Sequence, residues 1–390
     1  MNAKEFQDIN SENSKLKKFT IRELGGALGD WGTLIPFIIG YVSIVGLKPG
    51  GIFFCLGITN IVLGIRFNLP LPVQPQKTIG TVAISQKWNP SLVISTGFGT
   101  GIIWTMLGFT KLLEKIVKKV PTVTVRGIQL GLGLILGWTA ILLLSSNILL
   151  GIISIAVIII LMNNKRIPSA VILVLLGVIL LFITNRINFS DIKFSLPSFN
   201  FMLINWGDLL IGMLIAGVAQ FFLTLTNVMI ATISLVKDLF PNKKDDISSS
   251  SLAVNMGIMN LFSPFLGGIP LCHGSGGLAA QYAFGARTGG SMILEGIIEI
   301  SLGLFFSETL FSFFNSFPQA ILGAMLLYTA FLLARISFTD FHLKSVPIII
   351  GSALVSFIFH LVGFFSILLG FITGLILYLI LKKWIDFDQN

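Results

Sequence analysis

The chain has 390 residues, of which 54% are hydrophobic and only 11% carry a formal charge, against roughly a quarter charged in a soluble domain. With 40 glycines, 34 phenylalanines and a mean hydropathy of +0.91, the composition excludes a soluble globule, a disordered or collagen-like chain and a disulfide-rich secreted domain. A net charge of +9 raises the question of a polyanionic partner, but the placement of the basic residues argues for orientation in a membrane and against nucleic-acid binding.

The first 23 residues are polar and of mixed charge with no short apolar stretch behind them, so a cleaved signal peptide is not expected. Apolar segments then run over 24–46, 49–68, 70–86, 90–112, 121–144, 147–162, 167–184, 206–236, 250–267, 269–286, 289–314, 318–336, 345–361 and 363–381. A spanning helix takes about 20 apolar residues. The expected fold is therefore an all-α polytopic membrane protein of fourteen transmembrane segments, with no room for a large soluble domain.

With the N-terminus cytoplasmic, 21 of the 26 basic residues, from Lys4 to Lys383, fall on the inside. Lys48, Lys87, Arg186 and Lys193 fall outside, and Lys77 lies at membrane depth. This asymmetry puts both termini in the cytoplasm. A plasma membrane is the default location for a chain without organelle signals.

Landmarks recur at nearly one offset. Asp30 and Asn227 are 197 residues apart, Pro72 and Pro270 are 198 apart, and Pro121 and Pro318, each opening a Gly-bearing apolar helix, are 197 apart. The expected organisation is an N-terminal tail (1–23), a first repeat of seven segments (24–184), an extracellular connection (185–205), a second repeat of seven (206–382) and a short C-terminal tail (383–390). Because seven is odd, the second repeat enters the membrane inverted, as in many secondary carriers.

The third and tenth segments are too short, and too interrupted by Pro and Gly, to cross as single helices, and read as broken spans. In Leu69-Pro70-Leu71-Pro72-Val73-Gln74-Pro75-Gln76-Lys77-Thr78 the prolines forbid helix up to Pro75, which suits a first helical turn, so a half-helix is expected to start near Gln74 or Pro75. In Ile269-Pro270-Leu271-Cys272-His273-Gly274-Ser275-Gly276-Gly277 a second is expected to start near His273. Two half-helix N-termini meeting at the bilayer centre offer free N–H groups and partial positive charge, which together make an anion site. Gln74, Gln76, Thr78, His273 and Ser275 add donors, Gly274, Gly276 and Gly277 leave backbone amides uncovered, and Lys77 adds a full cation. This donor set suits a small oxyanion. The competing reading of the glycines is close helix packing, and of Pro70 and Pro72 a simple kink.

Gly29-Asp30-Trp31-Gly32-Thr33-Leu34-Ile35-Pro36, Pro72-Val73-Gln74-Pro75-Gln76-Lys77, Leu223-Thr224-Leu225-Thr226-Asn227 and the run from Pro270 to Tyr282, continued by Phe284-Gly285-Ala286-Arg287-Thr288-Gly289, resemble the molybdate transporter family, a branch related to the sulfate permeases. The resemblance spans about 24–383 and implies uptake of molybdate or sulfate through a seven-plus-seven inverted-repeat fold with a core domain and a scaffold domain. Two positions depart from the family pattern: Gln76 stands where Met is usual, which bears on anion preference, and Ala283 where a basic residue is usual. Only Lys382 to Asn390 follows the last segment, so the soluble regulatory domain of typical sulfate permeases is not expected.

Asp30, an acid at membrane depth, reads either as a proton-coupling or site-orienting carboxylate or as the counter-charge of Lys77. Glu295 and Glu299, four apart on one helical face, relay protons or contact a basic side chain such as Arg126. His273 reads as a ligand residue, and His342 and His360 as interfacial. A dianion entering a cell whose interior is 100 mV negative is opposed by about 4.6 kcal/mol, which two co-transported protons would cancel. Expected partners are therefore a molybdate or sulfate oxyanion, protons and the lipid bilayer; a homodimer is compatible with this reading. Carriers of bicarbonate or carboxylates share the fold. A nucleobase symporter would need acids at the half-helix tips, an ion channel predicts conductance without saturation, and Cys272-His273 with Cys55 as the only other cysteine shows no metal-ligand spacing, so neither an enzyme, a metal site nor a cofactor is expected.

Overall fold

A computed structural model describes residues 17–110, 112–117, 121–162, 164, 168–194, 196, 203–243, 246–338, 343–363 and 365–382. Most of the N-terminal tail, the C-terminal tail from 383, His342, and Lys4, Lys15, Lys111, Lys118, Lys119, Lys165, Arg166, Lys244 and Lys383 lie outside the described residues.

The described chain is almost wholly helical: α1 (Ile21–Ala27), α2 (Trp31–Gly40, prolonged by a π-turn, Tyr41–Val45), α3 (Pro49–Phe67), a strand β1 (Val73–Pro75), α4 (Lys77–Ser85), α5 (Pro90–Gly108), α6 (Leu112–Val117), α7 (Thr122–Leu144), α8 (Ile148–Leu161), α9 (Ser169–Ile183), α10 (Trp206–Leu239), α11 (Ser249–Phe262), β2 (Leu271–His273), α12 (Ser275–Phe284), α13 (Gly290–Phe305), α14 (Ser307–Asn315), α15 (Gln319–Ile336), α16 (Val346–Val362) and α17 (Ser366–Leu381). Local chemistry sets many of the ends. Asn89 caps α5 by accepting from Leu92 N–H at 2.8 Å ahead of Pro90, Asn147 caps α8, and Ser248 with Ser251 forms a reciprocal capping box for α11.

Among the described residues six helices are long and apolar enough to cross a membrane, and eight if two bent pairs each count as one span. The protein is an integral, multi-pass membrane protein. The segment expected at 24–46 is not one helix: it bends by 45° between α1 and α2, and Asp30 sits at the break. The segment at 289–314 turns by 87° between α13 and α14. Phe194 of the connection after α9 stacks on Phe305 at 4.8 Å and meets Phe306 edge-on, and the Lys193 N–H donates to Thr309, so the connection packs on this elbow.

Small residues set the helix packing. α3 lies along α13, α5 along α11, and α7 along α15. A Cβ on Gly57 would stand 2.6 Å from the carbonyl of Gly296, and one on Gly323 would stand 2.8 Å from that of Ala140, so these backbones touch with no space for a side chain. β1 and β2, both fully buried, cross at the centre of these layers. Gly296→Leu is expected to force α3 and α13 apart and cost about 1–3 kcal/mol, read as a lowered unfolding temperature of the detergent-purified protein; an unchanged temperature would contradict this packing.

Candidate functional site

The two strands pair antiparallel, Val73 opposite His273, Gln74 opposite Cys272 and Pro75 opposite Leu271. Each has only one partner strand, so its outer backbone groups need other partners. Two buried asparagines supply them. Asn60 of α3 accepts from the Val73 N–H at 3.1 Å, while Asn260 of α11 accepts from the Leu271 N–H and donates to its carbonyl, both at 2.7 Å. Pro75, which has no N–H to offer, ends its strand harmlessly, and the Gln76 N–H donates to the Pro270 carbonyl at 2.8 Å.

Strand pairing explains why both short helices begin later than the sequence suggests. α4 starts at Lys77, not at Gln74 or Pro75, and α12 at Ser275, not at His273, because the preceding residues are held extended in the ladder. Neither helix has a side-chain cap of its own. One amide of α4 is taken from outside: the Thr78 N–H donates to Gln220 Oε1 of α10 at 2.8 Å, and Gln220 Nε2 donates to Thr224 Oγ1 at 2.9 Å. At α12 the first intrahelical bond runs from the Leu278 N–H to the Gly274 carbonyl at 3.2 Å, so the amides of Ser275, Gly276 and Gly277 have no helical acceptor. The Ser275 hydroxyl donates to Asn227 Oδ1 at 2.8 Å. Asn227 sits in a π-helical stretch of α10, Leu225–Thr232, a distortion that is frequent at functional sites.

These tips enclose a cavity of about 10 Å³, room for one water molecule. Of the residues singled out from sequence, Gln74, Pro75, Lys77, Asn227, His273 and Gly274 line it. Gln76 does not: its amide is turned away to donate to Thr100 Oγ1 at 2.9 Å and the Leu271 carbonyl at 3.1 Å, so its departure from the family pattern falls outside the cavity wall. Thr78 is buried beside it, Gly277 packs on Gln74 and Pro72, and Gly276 faces open space. Sequence reasoning missed Gln220, Leu223, Thr224 and Cys272, which complete the wall. The carboxamide oxygen of Gln74 and both ring nitrogens of His273 are buried there without a hydrogen-bond partner. Buried capacity of this kind is rare and calls for a ligand or water.

Behind the cavity lies a fully buried acid cluster, Asp30, Glu295 and Glu299. The sequence admits Asp30 either as a coupling carboxylate or as the counter-charge of Lys77, and the side-chain hydrogen bonds it accepts come from amides. They run from Gln74 Nε2 and from Gln281 Nε2, each at 3.2 Å, because its place at the α1–α2 break aims it at these amides. Gln281 also donates to Glu295 at 2.7 Å, and Trp31 Nε1 donates to the other Glu295 oxygen at 3.1 Å. Asn60 Nδ2 donates to Glu299 at 2.8 Å. The donors to the two glutamates are neutral amides and an indole. Gln74 thus touches both the cavity and the acid cluster. Among the described residues no three His, Cys, Asp or Glu side chains converge as metal ligands would.

A family model described as "Molybdate transporter of MFS superfamily" matches residues 22–136 and 212–333. The chain belongs to this molybdate transporter family. It is 33% identical over 419 residues to Molybdate transporter 2 of Arabidopsis thaliana, covering 94% of this chain and 89% of that one. Its fold is shared with the transmembrane domain of a cyanobacterium bicarbonate transporter, BicA (TM-score 0.65, 15% identity, 90% of this chain and 96% of that one), and with the murine Solute Carrier 26 family member A9 anion transporter in the inward-facing state (TM-score 0.67, 15% identity, 95% and 69%). The family's relatives are transporters by name, not enzymes. Among the site residues, Asn260→Leu is expected to strand the Leu271 N–H and carbonyl in the interior at a cost of about 1–3 kcal/mol for each group, measured as lost thermal stability; wild-type stability would show that Asn260 does not hold the strand.

Proposed function

We propose that this protein imports a tetrahedral oxyanion, molybdate, by proton symport, with the anion held between the N-termini of α4 and α12. The observation that carries this reading is the β1–β2 pair, which brings two helix N-termini without side-chain caps of their own, Lys77 and the unpartnered groups of Gln74 and His273 to one cavity. Uncapped amides and a cation suit an anion; the buried acids behind them suit protons. Gln74, Lys77, His273, Ser275, Asn227 and the amides of Gly274, Gly276 and Gly277 bind the oxyanion, while Pro75 and Thr78 shape its edge and Gln76 steadies the strand. The cavity has room for one water, so binding requires it to widen.

In this reading β1–α4 and β2–α12 are the broken third and tenth of fourteen segments in two inverted repeats, 24–184 and 206–382, joined outside the cell by 185–205, with both termini cytoplasmic in a plasma membrane. The pseudo-equivalent packing of α3 on α13 and of α5 on α11 supports the repeat. So do the matched strand anchors Asn60 and Asn260. Asp30 carries the coupling proton, shared through Gln281 with Glu295, and Glu299 lies one asparagine away from β1.

The test is uptake of labelled molybdate by the purified protein in liposomes, with sulfate and bicarbonate as competitors. An inward proton gradient is expected to stimulate uptake, and Asp30→Asn to abolish that stimulation. Gln74→Leu or Ser275→Leu should weaken molybdate about ten- to hundredfold, the worth of one or two hydrogen bonds to a charged group, with thermal stability retained. Normal uptake by the last two variants, or indifference to the gradient, would overturn the proposal.

A further inference from the structure

A second, larger cavity of about 920 Å³ opens at the opposite end of α4. It is lined by the end of α4 and the turn after it, by the π-turn after α2, and by α7, α15 and α16; Ser43, Gln86, Lys87, Gln319 and His360 are its principal polar residues. No Asp or Glu is among its described lining residues. α4 has nine residues, about 14 Å of helix, so this cavity and the inner one stand at the two ends of a single short rod.

Three observations make the larger cavity more than a gap. First, Lys87 occupies the left-handed position that ends α4, with φ of +53°. The Trp88 N–H donates back to the Ala83 carbonyl at 2.9 Å, which completes a Schellman turn, a place where glycine is the usual residue because a side chain is strained there. A lysine that bears this strain delivers its cation to the cavity. Second, Nδ1 of His360 is buried without a hydrogen-bond partner. Third, α15 begins here at Gln319 with no side-chain cap, so the positive end of an 18-residue helix opens on the same space.

We infer that this cavity is an outer capture site, where a small oxyanion is held by Lys87, His360 and the N-terminus of α15 before it passes along α4 to the inner cavity. The inference rests on the topology and the inward transport proposed above: with both termini cytoplasmic, Lys87 and this cavity are on the extracellular side, where an imported anion enters.

Two measurements on the full chain in liposomes test it. In a Ser43→Cys variant, with the native Cys55 and Cys272 both buried, an external anionic methanethiosulfonate reagent is expected to label the introduced thiol about tenfold faster than a cationic one. Lys87→Gln should erase that preference, Lys87→Arg should keep it, and external molybdate should slow the labelling. In the uptake assay Lys87→Gly should raise KM for external molybdate about three- to tenfold with kcat unchanged. Glycine relieves the left-handed strain, so this variant should unfold at or above the wild-type temperature, which separates lost capture from lost structure. Equal labelling by the two reagents, or a preference that survives Lys87→Gln, would overturn the inference. Labelling needs no transport, so a wild-type protein that carries no molybdate would count against the import reading alone.

Discussion

Inside a membrane protein no water is at hand for backbone groups that lie outside a helix, and the fold depends on how that shortage is met at β1 and β2. Each strand bonds to the other along one edge and to a buried asparagine along the other, with Gln76 adding a second donor to the Leu271 carbonyl. This settles where the helices can begin. Once Val73 to Pro75 and Leu271 to His273 are fixed as strands, α4 and α12 must start with their first amides facing the crossing, with no room for a conventional cap. A cluster of uncapped amides beside a lysine is the chemical consequence. The proposed anion site would then be a by-product of satisfying an interrupted backbone, with few side chains added.

The acids are the second half of the construction. Three buried carboxyls with neutral donors around them are costly as three anions, and in an apolar interior that cost is relieved by protons or by nearby positive charge. Gln74 gives the two halves a shared side chain: its Nε2 donates to Asp30 and to Thr33, and its carboxamide lines the cavity. Losing or gaining a proton at Asp30 would change what Gln74 can donate to, and the same side chain lines the cavity proposed for the anion. In the proposed mechanism such a chain of side chains couples the two ligands through one hydrogen-bonded residue with two alternative partners, without a long-range conformational wave.

Much of this is legible in the sequence. The Pro-rich and Gly-rich interruptions locate both strand-to-helix elements, and the separation near 197 residues matches their partners, because prolines and glycines act on the backbone directly and locally. The helices start two or three residues later than local signals suggest, because pairing between segments 200 residues apart overrides the preference for Pro75 in a first turn. Gln76 is next to the site in sequence, yet it is the residue between β1 and α4, and its carboxamide is spent on Thr100 and the Leu271 carbonyl. Charge alone offers Lys77 as a counter-charge for Asp30, while the hydrogen bonds Asp30 accepts from Gln74 and Gln281 come from amides of β1 and α12, which charge counting does not reveal. Asn60, Asn260 and Gln220 carry a quieter signal: an amide side chain in a mostly apolar span is informative in itself, and the spacing of 200 between the two asparagines echoes the repeat.

The central claim is that the anion lies between the tips of α4 and α12, and diffraction at the molybdenum absorption edge from crystals of the protein grown with molybdate tests it most directly. A single anomalous peak within hydrogen-bonding reach of Gln74 and the amides of Ser275 to Gly277 is predicted. Molybdenum peaks elsewhere in the molecule, with none between the two helix tips, would contradict it.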